Sequence, residues 1–196
     1  RTLGARGTAT GLALSVAANG KVAVAGSVTG ALQTGETIAD PALTDSFVSL
    51  YDAKGDEMWT QRRAARADDQ ATAIAFGGDG SVYVAGQAKS AVTGASAVGG
   101  QDNYLMGFSP TGTAKFSTQF GTAATDRVGG LLVDGTSLVV AGTEDGHGVL
   151  RRFDLAPGGG VTAAGTRDLG DLQGGVITGL ALDGGELVVA GSTRNG

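Results

Sequence analysis

The 196-residue chain has no cysteine, three prolines, one histidine and one tryptophan. Without cysteine there is no disulfide framework and no thiolate metal site. That usage is compatible with a bacterial exported protein. A single histidine excludes a multi-histidine metal centre and leaves only carboxylates for hard cations. The scarcity of proline separates a chain with 36 glycines from collagen and from proline-rich linkers, and assigns the glycines to turns. No apolar run approaches the roughly 18 residues of a membrane-spanning helix, so no membrane span is expected. Aromatic residues make up only 5% of the chain, so alanine, valine, threonine and glycine must carry the core. Basic residues are outnumbered 14 to 19 by acidic ones, for a net charge of −5. That balance argues against nucleic acid or an anionic membrane surface as the main partner. The chain opens at Arg1 with no recognisable leader, as expected of a processed chain or an internal segment.

What is present is a repeat. Val22-Ala23-Val24-Ala25-Gly26 returns as Val82-Tyr83-Val84-Ala85-Gly86, Leu138-Val139-Val140-Ala141-Gly142 and Leu187-Val188-Val189-Ala190-Gly191. The steps between the glycines are 60, 56 and 49 residues. Each copy follows a turn (Asn19-Gly20, Asp79-Gly80, Asp134-Gly135, Asp183-Gly184), and each turn follows another apolar run. Self-similarity at this period is the signature of a repeat architecture.

In chain order, residues 1–7 read as the end of a preceding unit. Residues 8–70, 71–127 and 128–175 form three full units, and 176–196 the first half of a fourth. In unit one a hairpin turns at Asn19-Gly20, where both residues tolerate positive φ. A loop containing Pro41 follows, then a second hairpin turns at Asp52-Ala53-Lys54-Gly55 and closes at Trp59. Unit two repeats the plan with turns at Gly78-Asp79-Gly80 and Ser109-Pro110-Thr111-Gly112. Phe47, Tyr51 and Trp59 align with Tyr104, Phe108 and Phe116, which predicts matched core positions. Unit three has a short connecting segment, Thr143 to Gly146, and a longer, looser second turn at Ala156-Pro157-Gly158-Gly159-Gly160.

Each unit is therefore four short strands in two antiparallel hairpins. Such a sheet cannot bury its faces alone and stacks either radially or linearly. The runs Val22–Ala25 and Leu187–Ala190 are apolar at every position, as strands covered on both faces are. Small residues there suit sheets that converge on an axis. The expected fold class is all-β: a β-propeller of four-stranded antiparallel blades, with about 3.5 blades present as part of a larger propeller. Leu14, Ile74, Leu131 and Leu180, or their neighbours, are expected to be buried with Val24, Val84, Val140 and Val189. Apolar end faces predict association or completion by further strands.

The run Asp45-Ser46-Phe47-Val48, Asp52-Ala53-Lys54-Gly55, Met58-Trp59, then Asp69, Ile74-Ala75 and Gly80 to Gly86, resembles the bacterial β-propeller repeat labelled SBBP. The resemblance covers essentially the whole chain and is best in units one and two. Unit three departs at His147, which stands where Asp45 and Asp102 stand. The family implies a propeller in large secreted or surface-exposed bacterial proteins, usually without assigned enzymatic activity.

Candidates for chemistry are few. His147 would have to serve any nucleophile–histidine–acid arrangement, yet it lies among glycines on a short loop. Asp68, Asp69, Asp102 and Asp126 are candidates for calcium, but no loop of alternating acids is present, and acceptance of turn amides is the plainer reading. The run Arg62-Arg63-Ala64-Ala65-Arg66, beside Asp68-Asp69, reads as a solvated loop with local ion pairs, or a patch for an acidic partner. Arg152 replaces an apolar residue and reads as exposed or interface-facing. Gly99-Gly100 and Gly158 to Gly160 do not lie between a strand and a helix, so they are no phosphate loop. The expectation is no catalytic residue, no cofactor and no metal.

The function expected from these features is a non-catalytic bacterial cell-surface or extracellular module, a structural scaffold and protein-interaction platform in an envelope or appendage. The alternative is a carbohydrate-binding or glycan-hydrolysing propeller, disfavoured because Trp59 and Tyr104 lie in the second hairpins, away from the axis. Expected partners are proteins or further segments of the same polypeptide, with a glycan as the other candidate.

Overall fold

The computed structural model describes residues 7–32, 37–38, 40, 42–63, 67–92 and 94–194. Residues 1–6 of the expected end of a preceding unit (1–7), Pro41, and residues 64–66 of the basic run lie outside them. Fourteen strands, and no helix among the described residues, form four antiparallel sheets. The first comprises β1 (Ala9–Val16), β2 (Val22–Val28), β3 (Asp45–Tyr51) and β4 (Glu57–Arg63). The second comprises β5 (Asp69–Phe76), β6 (Val82–Ala88), β7 (Asp102–Phe108) and β8 (Ala114–Phe120). The third comprises β9 (Arg127–Asp134), β10 (Ser137–Glu144), β11 (His147–Leu155) and β12 (Val161–Asp171). The fourth is the pair β13 (Ile177–Asp183) and β14 (Glu186–Gly191). Strands are paired in chain order, and β1 and β2 pack on β5, β5 on β9, and β9 on β13. Among the described residues, no helix is long and apolar enough to cross a membrane.

The alternation of side chains explains the recurrent motif. Along a strand, odd and even residues face opposite sides. In β2, Ala23 and Ala25 face the second sheet, where they meet Ile74, Val82 and Val84. In β6, Val82 and Val84 face back to the first sheet, while Tyr83 and Ala85 face forward to Leu131, Leu138 and Val140. In β10 the pattern repeats, with Val139 and Ala141 facing Ile177, Leu180 and Val189. Both faces of β6 and β10 are covered, and every residue in them is buried. This is why the motif has no polar alternate.

The recurrent glycine has a separate cause. The first strand of each sheet carries a β-bulge opposite that glycine, between Gly11 and Ala13, Ala71 and Ala73, Val128 and Gly130, and Ile177 and Gly179. The bulge drives a carbonyl over the glycine: a Cβ at Gly26 would overlap the Thr10 oxygen, and one at Gly86 the Gln70 oxygen. Only glycine lets the two backbones approach this closely.

The equivalent core positions are not equally buried. Ile74, Leu131, Val84 and Val140 are buried, but Leu14 is 64% exposed and Val24, Leu180 and Val189 are half-buried. The expectation of uniform burial thus fails at the two ends, for a physical reason. Leu14, like Ile74, faces backward, and no described sheet precedes the first to cover it. On the fourth sheet Val188 faces forward and is 50% exposed.

Three turn readings also change. Only Gly20 of the Asn19-Gly20 pair has positive φ (81°), so the turn is not the two-residue type. Instead, Gly20 N donates to Ala17 O and Ala17 N to Lys21 O. That is a longer hairpin loop with a left-handed glycine. The same two bonds close the turns ending at Asp56, Ser81, Thr113 and Gly160. The turn at Ala156 to Gly160 is therefore no looser than the others. Two-residue loops occur at Gly135-Thr136, Asp145-Gly146 and Gly184-Gly185. Thr143 and Glu144 are consequently strand, not loop.

Candidate functional site

The first strands β5, β9 and β13 all start at one end of the stack, and there they border a cleft of about 600 Å³. The bulges set its lining. The extra residue of each bulge is Thr72 in β5, Gly129 in β9 and Thr178 in β13, and all three border the cleft. A bulge re-aims a side chain that strict alternation would place on a sheet face. Gly129 is confined to glycine by contact with the neighbouring strand, since a Cβ would overlap the Ile177 carbonyl.

The residues that follow Gly86 and Gly142 tie one sheet to the next. Gln87 Nε2 donates to Thr72 Oγ1 and to the Val128 carbonyl, both at 3.3 Å. Thr143 Oγ1 accepts from the Ile177 amide at 3.0 Å. These bonds hold the starts of β9 and β13 at fixed positions around the cleft.

Charge at the cleft is mostly self-compensated. Asp69 lines it, and its side chain is fully buried in an ion pair with Arg63 and a 3.1 Å bond from Ser46 Oγ. Burial, opposed by Arg63, raises the Asp69 carboxyl to about 6. Asp68 accepts from the Thr44 amide and pairs with Lys89 at 3.2 Å; the amide first, then the lysine, lower its pKa. Arg127 also borders the cleft, is exposed, and has no ion pair among the described residues.

Arg62 and Arg63 are not solvated, contrary to the sequence reading. Strand β4 extends through both, and their side chains are only 8% and 11% exposed. Arg62 Nε donates to Asp45 at 2.6 Å, and Arg63 stacks over Tyr104, 5.6 Å from its ring centroid. Arg151, on β11, combines an ion pair within its own sheet with a ring of the preceding one. It donates to Glu144 at 2.7 and 2.6 Å and lies over the Phe120 ring. Arg152 is exposed and pairs with Asp134 at 2.8 Å.

The calcium candidates are dispersed among separate turns. Asp102, fully buried, accepts from the Val98 and Gly99 amides and from Gln119 Nε2. Asp126, also buried, accepts from the Thr122 amide and hydroxyl; burial raises its pKa. No three histidine or carboxylate side chains come together as a metal set among the described residues. His147 Nδ1 lies 3.1 Å from the Asp168 carboxylate, with both side chains well exposed. Trp59 bridges the first two sheets: its Nε1 donates to the Pro110 carbonyl at 3.1 Å and its ring tilts against Phe108. Tyr104 is fully buried. Gly99-Gly100 and Gly158 to Gly160 lie in loops between strands.

The sequence reading missed the cleft residues Thr72, Gln87, Lys89, Arg127 and Thr178. The only signal for them was position: each lies within three residues of a bulge or of a recurrent glycine.

No family model matches the chain. A solved structure of a protein of unknown function from Bacteroides caccae superposes with a TM-score of 0.55. It is 14% identical, over 93% of this chain and 53% of that one, and at that identity the likeness concerns fold alone. Over its whole length the chain is similar to the regulatory protein FlaEY of Caulobacter vibrioides, at 41% identity over 232 aligned residues. The match takes in 24% of FlaEY, so the chain spans about a quarter of that relative's length. The relative's name corrects the expected function. The expected bacterial cell-surface or extracellular structural scaffold, with its carbohydrate-binding or glycan-hydrolysing alternative, does not stand against a relative named as a regulatory protein.

Proposed function

We propose that this chain is a segment of a β-propeller in a regulatory protein, and that it acts by binding and not by catalysis. The observation that carries the regulatory reading is the 41% identity, along the entire chain, to a protein named as regulatory. The propeller reading is supported by the regular succession of sheets, each turned so that one face meets the sheet before and the other the sheet after. Convergence of β5, β9 and β13 on one polar cleft supports it as well. Its end faces would then be covered by further sheets of the same polypeptide, which supply the contacts that Leu14 and Val188 lack. The non-catalytic reading is supported by the dispersal of the acidic side chains and by the exposed setting of His147.

The test is an in-frame removal of the codons for these residues in the host organism, followed by transcript and protein profiling. A regulatory module predicts a changed level of a defined set of gene products. An unchanged profile, with the shortened protein present at its normal level, would sink the reading.

A further inference from the structure

Among the described residues, one cation that borders the cleft has no ion pair. Arg63 and Ser46 both bond Asp69 Oδ2, and Lys89 faces Asp68. That leaves the Arg127 guanidinium, exposed and without an ion pair among the described residues. Around it stand neutral groups that hydrogen-bond in either sense. Gln70 is exposed and makes no side-chain hydrogen bond among the described residues, while Thr178 is exposed across the cleft on β13. A volume of about 600 Å³ lies within the range of about 300–1,000 Å³ typical of ligand sites.

From this geometry we infer that the cleft binds an extended acidic segment of a partner protein. An aspartate or glutamate side chain pairs with Arg127, and the flanking peptide groups bond to Gln70 and Thr178. An arginine fork takes a carboxylate in two parallel bonds, which gives orientation as well as attraction. Carboxamides and hydroxyls match the alternating donors and acceptors of an extended backbone. A nucleic acid is disfavoured, because at this cleft, in a chain of net charge −5, a single cation without an ion pair among the described residues cannot neutralise a run of phosphates. The inference rests on the binding reading above and names its ligand class.

The test is fluorescence anisotropy of labelled hexaglutamate against the protein, with hexalysine and a glycine–serine hexamer as controls. Saturable binding of hexaglutamate alone is expected, weakening as salt is raised. Arg127→Glu should weaken it at least tenfold, while Lys54→Glu, an equal charge change on a distant exposed turn, should leave it unchanged; circular dichroism checks that both variants fold. Equal binding by the two variants, no saturable binding, or full displacement by free glutamate at matched carboxylate concentration would overturn the proposal. Binding that depends on Arg127 alongside an unchanged cellular profile would keep the site and sink the regulatory reading. A changed profile with no peptide binding would do the reverse.

Discussion

Leu14 and Ile74 occupy the same position in successive sheets, and the account predicts opposite costs for truncating them. Ile74 is 8% exposed and packs among Ala23, Ala25, Val82 and Val84 in the first interface. Leu14 is 64% exposed on the uncovered backward face. Removing a buried isoleucine side chain to alanine loses its transfer free energy and leaves a cavity, typically about 2–5 kcal/mol in all. Removing an exposed leucine costs within about 0.5 kcal/mol. The first loss should appear in urea titration of the 196-residue chain as a fall in midpoint of roughly 1 M or more at unchanged slope, for a slope of about 1–3 kcal/mol/M. Leu14→Ala should leave the midpoint almost where it was. Light scattering run alongside removes the one ambiguity, since self-association could cover Leu14. If a monomeric Leu14→Ala loses as much as Ile74→Ala, the assignment of covered and uncovered faces is wrong. A silent Ile74→Ala would equally refute the packing.

Other consequences follow from individual side chains. Arg63→Ala leaves the buried Asp69 carboxylate without its cation, a change that typically costs about 3–5 kcal/mol and is read by the same titration. Asp69 has a folded pKa raised to about 6 by burial, so the folded state holds its proton longer than the unfolded chain does. By linkage its penalty grows as pH rises from about 4 to 6 and is constant above; Asp69→Asn should flatten stability across that window, although Asp126, raised in the same direction, leaves some slope. Gly86→Ala must push its Cβ into the Gln70 carbonyl and should destabilise strongly, whereas Gly100→Ala, with open space around it, should be silent in a thermal melt. Pro110 replaced by alanine keeps the carbonyl that Trp59 bonds, so Trp59→Phe, which loses the donor, should be the more destabilising of the two.

Much of the architecture was legible because it is local and repeated. Hairpin positions follow from Gly20, Gly55, Gly80 and Gly112, each of which takes a left-handed conformation that glycine adopts without cost. Burial on both faces could be read from Val82 to Ala85, where no polar alternate occurs. The turn geometry could not be read from Asn19-Gly20, because that pair suits two hairpin types and the strand ends choose between them. Arg62 and Arg63 were misplaced because a charge run beside acids reads as solvated, whereas β4 carries Arg63 into the first interface, over Tyr104, and Arg62 onto Asp45 and the Gly30 carbonyl of its own unit. The cleft was invisible for a different reason. Its lining depends on bulges, and a bulge is a mismatch in pairing that neither strand announces by itself. Arg127, read in isolation, is one cation beside Asp126; only the convergence of β5, β9 and β13 gives it a setting.

The absence of cysteine makes the central claim, that further sheets of the natural polypeptide cover the two end faces, directly measurable. Leu14→Cys and Val188→Cys place single thiols on those faces, Ile74→Cys places one in a covered interface, and Lys54→Cys one on an exposed turn. Labelling by a maleimide reagent is followed in the isolated 196-residue chain and, at the introduced cysteine by mass mapping of its peptide, in the complete natural protein. The account predicts that the two end thiols react as fast as the turn thiol in the isolated chain and as slowly as the Ile74 thiol in the complete protein. End thiols that label at the turn rate in both would contradict it.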